Sequence, residues 1–413
     1  MGCRGRRAPK AAHHPPLATP APAAGGVTRS GAARLEGVDA LRGLVIVLMV
    51  LDHVRDFFHR TAFTADPLAL GEAGDPALFL TRWITHLCAP SFVFLAGVSV
   101  WLQQANGKPR AELSRFLLTR GLWLIVLELT LVTVGFNFGW FAFLQVIWAI
   151  GAAMVALAAL VWLPRRIVLA LGVLIVVGHQ ALAPVDPPHL GAAGPVWRLA
   201  MEFGPTLSMP GFVAYPFVPW LGIMLVGYGL GGLFTLPAAA RTRTVLLLAG
   251  GMIAAFGLLR ALNGYGDPQP WSAQGDGLWT ALSFLNVGKY PPSLDYVLVT
   301  LGLSLALLPV LERLWRPALE VLLTFGRTPL FTYLLHIWLA HLLAMTVGVM
   351  MGIPASAFFD MLGDPSRALS AGWGFGLPGV YGFWLLTLVL LWPAARWFEG
   401  VKRRRRDWWL GYL

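Results

Sequence analysis

An all-α bundle of about ten membrane-spanning helices is the fold this sequence predicts, and three observations predict it. Of its 413 residues, 57% are hydrophobic and only 12% charged, against roughly a quarter charged in soluble domains. The apolar residues gather into runs near 41–58, 77–102, 115–135, 139–163, 166–184, 212–235, 243–262, 294–310, 328–350 and 376–398, each close to the ~20 residues that cross a bilayer as helix. Strand-like alternation is absent, and a helix is the open form that satisfies its own backbone in lipid.

Charge gives the topology. The net charge is +11. Twenty-four of the 31 Lys and Arg fall in the N-terminal segment through Arg42, in 103–120, at Arg165-Arg166, at Arg241 and Arg243, in 313–327 and at the C-terminal end. This is the positive-inside bias, and ten spans satisfy it with both termini in the cytoplasm. The basic residues lie between apolar runs, so their expected partner is anionic lipid, not nucleic acid. The Arg403–Arg406 run anchors the last helix to the inner leaflet.

Three segments follow: a basic tail, 1–34, read as disordered and cytoplasmic; a transmembrane domain, 35–400; and a basic C-terminal tail, 401–413. The first lacks acids and lacks the apolar stretch of a secretory signal. The two cysteines, Cys3 and Cys88, are far apart and supply neither a disulfide framework nor a CxxC metal site. No HExxH or carboxylate cluster points to zinc, so no metal is expected.

The first span carries the densest polar information. Arg42 and His53 are eleven residues apart, close to three helical turns, so both project from one face with about 16 Å of rise between them. A histidine inside a span is costly and usually has a function. Asp52, Arg55, Asp56 and His59 surround His53 within two turns. A carboxylate can orient an imidazole and raise its basicity, as general-base catalysis requires. Asp56 lies three positions beyond His53, on a similar face; Asp52 is offset by about 100° and can face another helix. At the other end Asp39 precedes Arg42 by three and can pair with it, while Arg42 is suited to meet a phosphate from the cytoplasm.

Elsewhere the signals are weaker. His86 belongs near the outer end of the second span, antiparallel to the first. A lone intramembrane histidine commonly hydrogen-bonds a neighbouring helix, and that is the role expected of His179, His336 and His341. Glu128 is the clearest buried carboxylate. The longest outer connection, 263–293, is rich in Gly, Pro and aromatic residues and can cap a cavity.

Four segments resemble a known family. RLEGVDALRGLVIVLMVLDH, with Arg42-Gly43 ahead of His53, resembles the opening of transmembrane acyltransferases. TRWITHLCAPSFVFLAGVSVWL, with its core at Pro90 to Gly97, is similar to the second span of the heparan-alpha-glucosaminide N-acetyltransferase catalytic-domain family. KYPPSLDYVLVTLG, from Lys289, resembles a segment of its bacterial members, and FGRTPLFTYLLHIWLAH, from Phe325, its penultimate span. The likeness runs from about residue 34 to the last span.

That resemblance implies transfer of an acyl group, usually acetyl, from cytoplasmic acyl-CoA to a hydroxyl or amine of a sugar or glycan on the far side of a bacterial inner membrane. The essential histidine is expected on that far side. The general pattern falls on His53; the lysosomal branch has Asn there, a histidine nearer His59, Asp in the place of His86, and a large lumenal domain with no counterpart here. The catalytic candidates are His53, Asp52, His59 and His86. Arg42, Asp39 and Arg327 are the candidates for holding acetyl-CoA, and Lys289, Tyr290 and Trp271 for the acceptor. The histidine acts as general base or as acyl carrier. The pantetheine arm would thread along the first span from Arg42 to His53. A homodimer is one assembly such a bundle allows. The alternatives are a transporter or flippase for a glycan or lipid-linked substrate, in which repeated halves are common, and a scaffold for a glycan-assembly complex.

Overall fold

The computed structural model describes residues 1–2, 36–182, 185, 187–207, 209–405 and 407–412. The fold is carried by the unit Leu35–Leu413; beyond its first two residues, the tail expected at 1–34 lies outside the described residues.

Each of the ten predicted runs contains a helix. Eight are long and apolar enough to cross a membrane: Pro76–Ala105, Arg110–Asn137, Arg165–Leu182, Phe217–Thr235, Ala238–Leu262, Leu294–Leu311, Pro329–Met350 and Leu377–Arg404. The other two are Glu36–Phe58 and the short apolar Val146–Leu160. In chain order these are spans 1 to 10, with Glu36–Phe58 as span 1 and Val146–Leu160 as span 4. The last span continues to Arg404, so residues 401–404 extend a helix where a tail was expected.

Span 1 holds Glu36, Asp39, Arg42, Asp52, Arg55 and Asp56, yet 18 of its 23 residues are buried. It can carry these charges because protein surrounds it: it packs against spans 2, 8, 9 and 10 and against a short helix, Arg316–Arg327. By contrast, only 17% of the most apolar window of span 10 and 22% of those of spans 5 and 7 are buried. The apolar windows of those three helices are left exposed for lipid, while the helix charged at both ends is enclosed by protein.

Two glycines, one on each helix, explain the closest contact of span 1. A Cβ on Gly43 would collide with the backbone of Leu322, and one on Gly326 with the carbonyl of Asp39. Reciprocal glycines let the Arg316–Arg327 helix cross span 1 almost backbone to backbone, as small residues do between membrane helices.

Span 2 is interrupted. Asp75 caps its start by accepting from the amides of Ala77 and Leu78, and Pro76 occupies the first turn, where a missing N–H is harmless. Further along, Pro90 has no N–H to give to the carbonyl four residues back, which is His86. The helix passes through a tight turn at Thr85–Leu87, and the freed His86 carbonyl accepts instead from the Tyr296 hydroxyl of span 8 at 3.0 Å. Span 3 contains a π-helical bulge at Glu128–Val132. Its carbonyls at Leu129 and Leu131 accept from the indoles of Trp140 and Trp338.

Strand pairing was not expected, and it occurs in the connections. Ala142–Leu144 pairs parallel with Gly211–Val213, which pairs antiparallel with Gly204–Pro205. Strands of two or three residues are too short to show alternation in a sequence.

Replacing Gly43 by Val should separate span 1 from the Arg316–Arg327 helix at a cost of about 1–3 kcal/mol or more. Gly250→Ala, where a Cβ meets nothing within 4 Å, should be neutral. Thermal unfolding of the detergent-purified variants measures the difference.

Candidate active site

Two polar clusters lie at opposite ends of span 1. On the basic face, Arg42 donates to Asp39 Oδ1 at 2.9 Å, to Ser99 Oγ at 3.0 Å and to the Gly326 carbonyl at 3.4 Å. Arg327 lies 4.0 Å from Asp39 Oδ2 and pairs with Glu399 at 2.8 Å. The three residues expected to hold a donor therefore meet in one place, where the paired glycines bring Arg327 to Asp39. Glu399, which also pairs with Arg403 at 2.7 Å, was not singled out from the sequence.

At the other end, the connections 59–75 and 263–293 cover a cavity of about 620 Å³. Arg55, Asp56, His59, Arg82, His86, Lys289 and Tyr290 are among its lining residues. A neighbouring cavity of about 490 Å³ is lined by His179, Glu202, Tyr265 and Asp267, and both share Phe203, Pro268, Tyr290 and Pro291. Arg260 secures the cover. Its guanidinium, 2% exposed, donates to the carbonyls of Gln269, Ser283, Phe284 and Asn286.

Asp52 does not orient His53. Arg82 donates to both Asp52 oxygens at 2.8 and 2.6 Å, and Arg55 approaches Oδ1 at 3.1 Å. Asp56, the other carboxylate expected near His53, pairs with Arg55. The 100° offset of Asp52 turns it toward span 2, where a buried guanidinium thirty residues away in sequence claims it.

His53 is held by another imidazole. Its Nδ1 lies 2.7 Å from His336 Nε2, and His336 Nδ1 lies 3.2 Å from the Thr332 carbonyl. The carbonyl can only accept, so His336 carries its proton on Nδ1 and accepts at Nε2. His53 then donates from Nδ1, which leaves the lone pair on its Nε2. The rings stack at 5.0 Å, and Phe136 packs edge-on to His53. His336 was read as a packing histidine; no sequence spacing connects span 1 to span 9.

The other histidines differ in kind. His59 Nδ1 receives the Thr61 amide at 3.3 Å and faces the Thr61 hydroxyl at 2.8 Å, which puts its N–H on Nε2. Burial lowers its pKa, and Arg55 and Arg60 add to the effect against the opposing pull of Asp75. His86 is 1% exposed, and neither ring nitrogen has a partner. His341 behaves as expected of a structural histidine: it stacks on Phe138 and Phe57, with its nitrogens 2.8 Å from the carbonyls of Gly135 and Phe358. Glu128 is fully buried and accepts from the Trp148 amide at 2.9 Å, at the start of span 4.

Lys289 and Tyr290, the acceptor candidates, line the larger cavity. Burial raises the Tyr290 pKa, but the nearby cations Lys289 and Arg82 outweigh it and bring the phenol below its ordinary value. Trp271 is elsewhere. Its indole donates to the Arg260 carbonyl and its ring packs on Phe284, so it belongs to the interior of the cover and lines neither cavity.

An apolar bundle built on a charged axis, with histidines at one end beneath an organised cover, defines an integral membrane protein with a polar chamber. Residues 34–259, more than half of the chain, match the family model described as heparan-alpha-glucosaminide N-acetyltransferase, catalytic, and the chain belongs to that family. Among curated proteins no match is found. The family match contains His53, His59, His86 and Arg42 and ends before Lys289 and His336, which reach the site by packing.

Removing one partner of a buried ion pair strands the other, at about 3–5 kcal/mol. Asp52→Asn should therefore lower the unfolding temperature strongly. Asp52→Asn combined with Arg82→Met should recover much of the loss, and a double-mutant cycle on the purified protein measures the coupling.

Proposed function

We propose that the protein transfers an acyl group, acetyl in the simplest case, from acyl-CoA to a sugar hydroxyl or amine, with His53 as the general base. The observation that carries this is the directed chain Thr332–His336–His53, which fixes the unprotonated nitrogen of His53 at Nε2. That nitrogen is the group a base needs: it takes the proton from the acceptor as the oxygen or nitrogen attacks the thioester carbonyl. The C–O or C–N bond forms, the C–S bond breaks, and CoA leaves as thiol with a proton returned through the imidazole. His336 is a positioning residue, holding the His53 tautomer as a carboxylate does in other dyads. His59, with its N–H on Nε2 at the cavity wall, is suited to donate to the developing oxyanion.

The donor would enter from the basic face. Arg42 and Arg327 set two guanidiniums around Asp39, and the charge bias of the chain assigns that face to the cytoplasm. A bacterial inner membrane accords with the resemblance of the Lys289 segment. Family membership supports acetyl transfer ahead of transport alone.

In an assay with radiolabelled acetyl-CoA and the purified protein, His53→Ala should reduce turnover 10²- to 10⁴-fold with unchanged expression. His336→Ala should cost less and His336→Gln less still, because an amide can accept from His53 Nδ1. Wild-type activity should fall on acidification, since a protonated Nε2 cannot accept. Full activity in His53→Ala would remove it as the base.

Arg42→Ala should weaken CoA binding by about tenfold, a charge-assisted contact being worth ~1.5–3 kcal/mol. Arg198→Ala, an ion pair with Glu202 beside the outer strands, should leave affinity intact. Calorimetric titration with CoA compares the two, and equal affinities would refute entry at Arg42.

A further inference from the structure

We infer that Lys289 and His86 form an anion-binding subsite in the larger cavity, which selects an acceptor bearing a carboxylate or phosphate. This rests on the acyl-transfer proposal for its place in catalysis, but not for its physics.

Charge pairing around the cavity is uneven. Arg82 is neutralised by Asp52, and Arg55 by Asp52 and Asp56. Lys289 is 7% exposed, and among the described residues no carboxylate lies within 4.0 Å of its ammonium. Its ammonium meets the neutral Tyr290 hydroxyl and two rings, with Nζ 5.0 Å from the Tyr290 centroid and 5.7 Å from that of Tyr215, while Asp52 and Asp56 act on it only from beyond ion-pair distance. Lysine is almost never buried without a counter-charge in contact, because the charge loses its hydration. Cation–π contacts return only part of that.

His86 is an independent sign at the same cavity. Pro90 turns the chain there, and the Tyr296 ring lies edge-on to the imidazole at 5.2 Å. The ring is 1% exposed, lines the cavity, and has no protein partner on either nitrogen. Buried polar groups are almost always satisfied. A cation lacking an anion and an imidazole lacking an acceptor, both in one cavity wall, are together completed by one anionic group. The lowered Tyr290 pKa reflects the same excess of positive charge.

The cavity of about 620 Å³ has room for a sugar ring as well as the charged group, and the stacked Phe203 and Tyr290 rings, shared with the second cavity, offer an apolar face to a following residue.

The test needs no acyl donor. Glucuronate, glucose 1-phosphate and methyl glucoside are titrated against the purified full-length protein, with unfolding temperature and calorimetry as readouts. A charged sugar should bind at least tenfold tighter than the neutral one, and whether glucuronate or glucose 1-phosphate binds better identifies the anion. Lys289→Met keeps the side-chain length and should abolish the preference; Lys289→Arg should retain it. The unligated Lys289→Met protein should also unfold at a higher temperature, because a stranded charge has gone; a structural lysine would give the opposite sign. No preference for charge in the wild type, or an undiminished one in a folded Lys289→Met protein, overturns the subsite. Absence of acetyl transfer alongside selective binding would overturn the acyl-transfer proposal and leave the subsite standing.

Discussion

Burial of a charged helix along the axis of an apolar bundle is the constraint on which this structure depends. Span 1 bears charges at both ends, and hydrocarbon would not accept them. Some are answered within the helix, Asp39 by Arg42 and Asp56 by Arg55, and others by neighbouring helices: Asp52 by Arg82 of span 2, Arg42 by Ser99 of span 2 and the Gly326 carbonyl, and Asp39 also by Arg327. These pairs are worth less as net stability than as specification, since desolvation consumes much of what the Coulomb attraction returns. They fix which helices touch span 1, and at what height. The outer chamber and the basic cluster are consequences of that arrangement.

Much of the fold was legible because the hydrophobic pattern of a membrane protein is coarse and strong. Every apolar run contains a helix, and the span 1 periodicity placed Asp39 beside Arg42. The three short strands and the extension of span 10 through Arg404 were not legible, for short pairings and helix ends carry little periodic signal.

The candidate site divides along the same line. Residue types and local spacing pointed to His53, His59 and His86, and the family resemblance to Lys289 and Tyr290; all of them gather at one end of the bundle. The partners were hidden. His336 lies 283 positions from His53, and Arg82 thirty from Asp52; helical geometry governs neighbours three and four apart and is silent about which helices pack. Asp52 was a candidate beside His53 on adjacency, and its offset of about 100° left open the other course, facing a second helix, which it takes. Trp271 was a candidate for the acceptor, but its indole N–H donates to the Arg260 carbonyl inside the cover.

Arg260 ties together backbone from both arms of the long outer connection, at Gln269 and at Ser283 through Asn286. With the Asp267–Gly288 and Ser272–Ser283 hydrogen bonds, that side chain joins the two arms into one unit. Its amides share one opening equilibrium, and the mouth of the chamber widens as a whole. Access for a bulky solute is then set by the frequency of that concerted event, rather than by the wandering of individual loop residues.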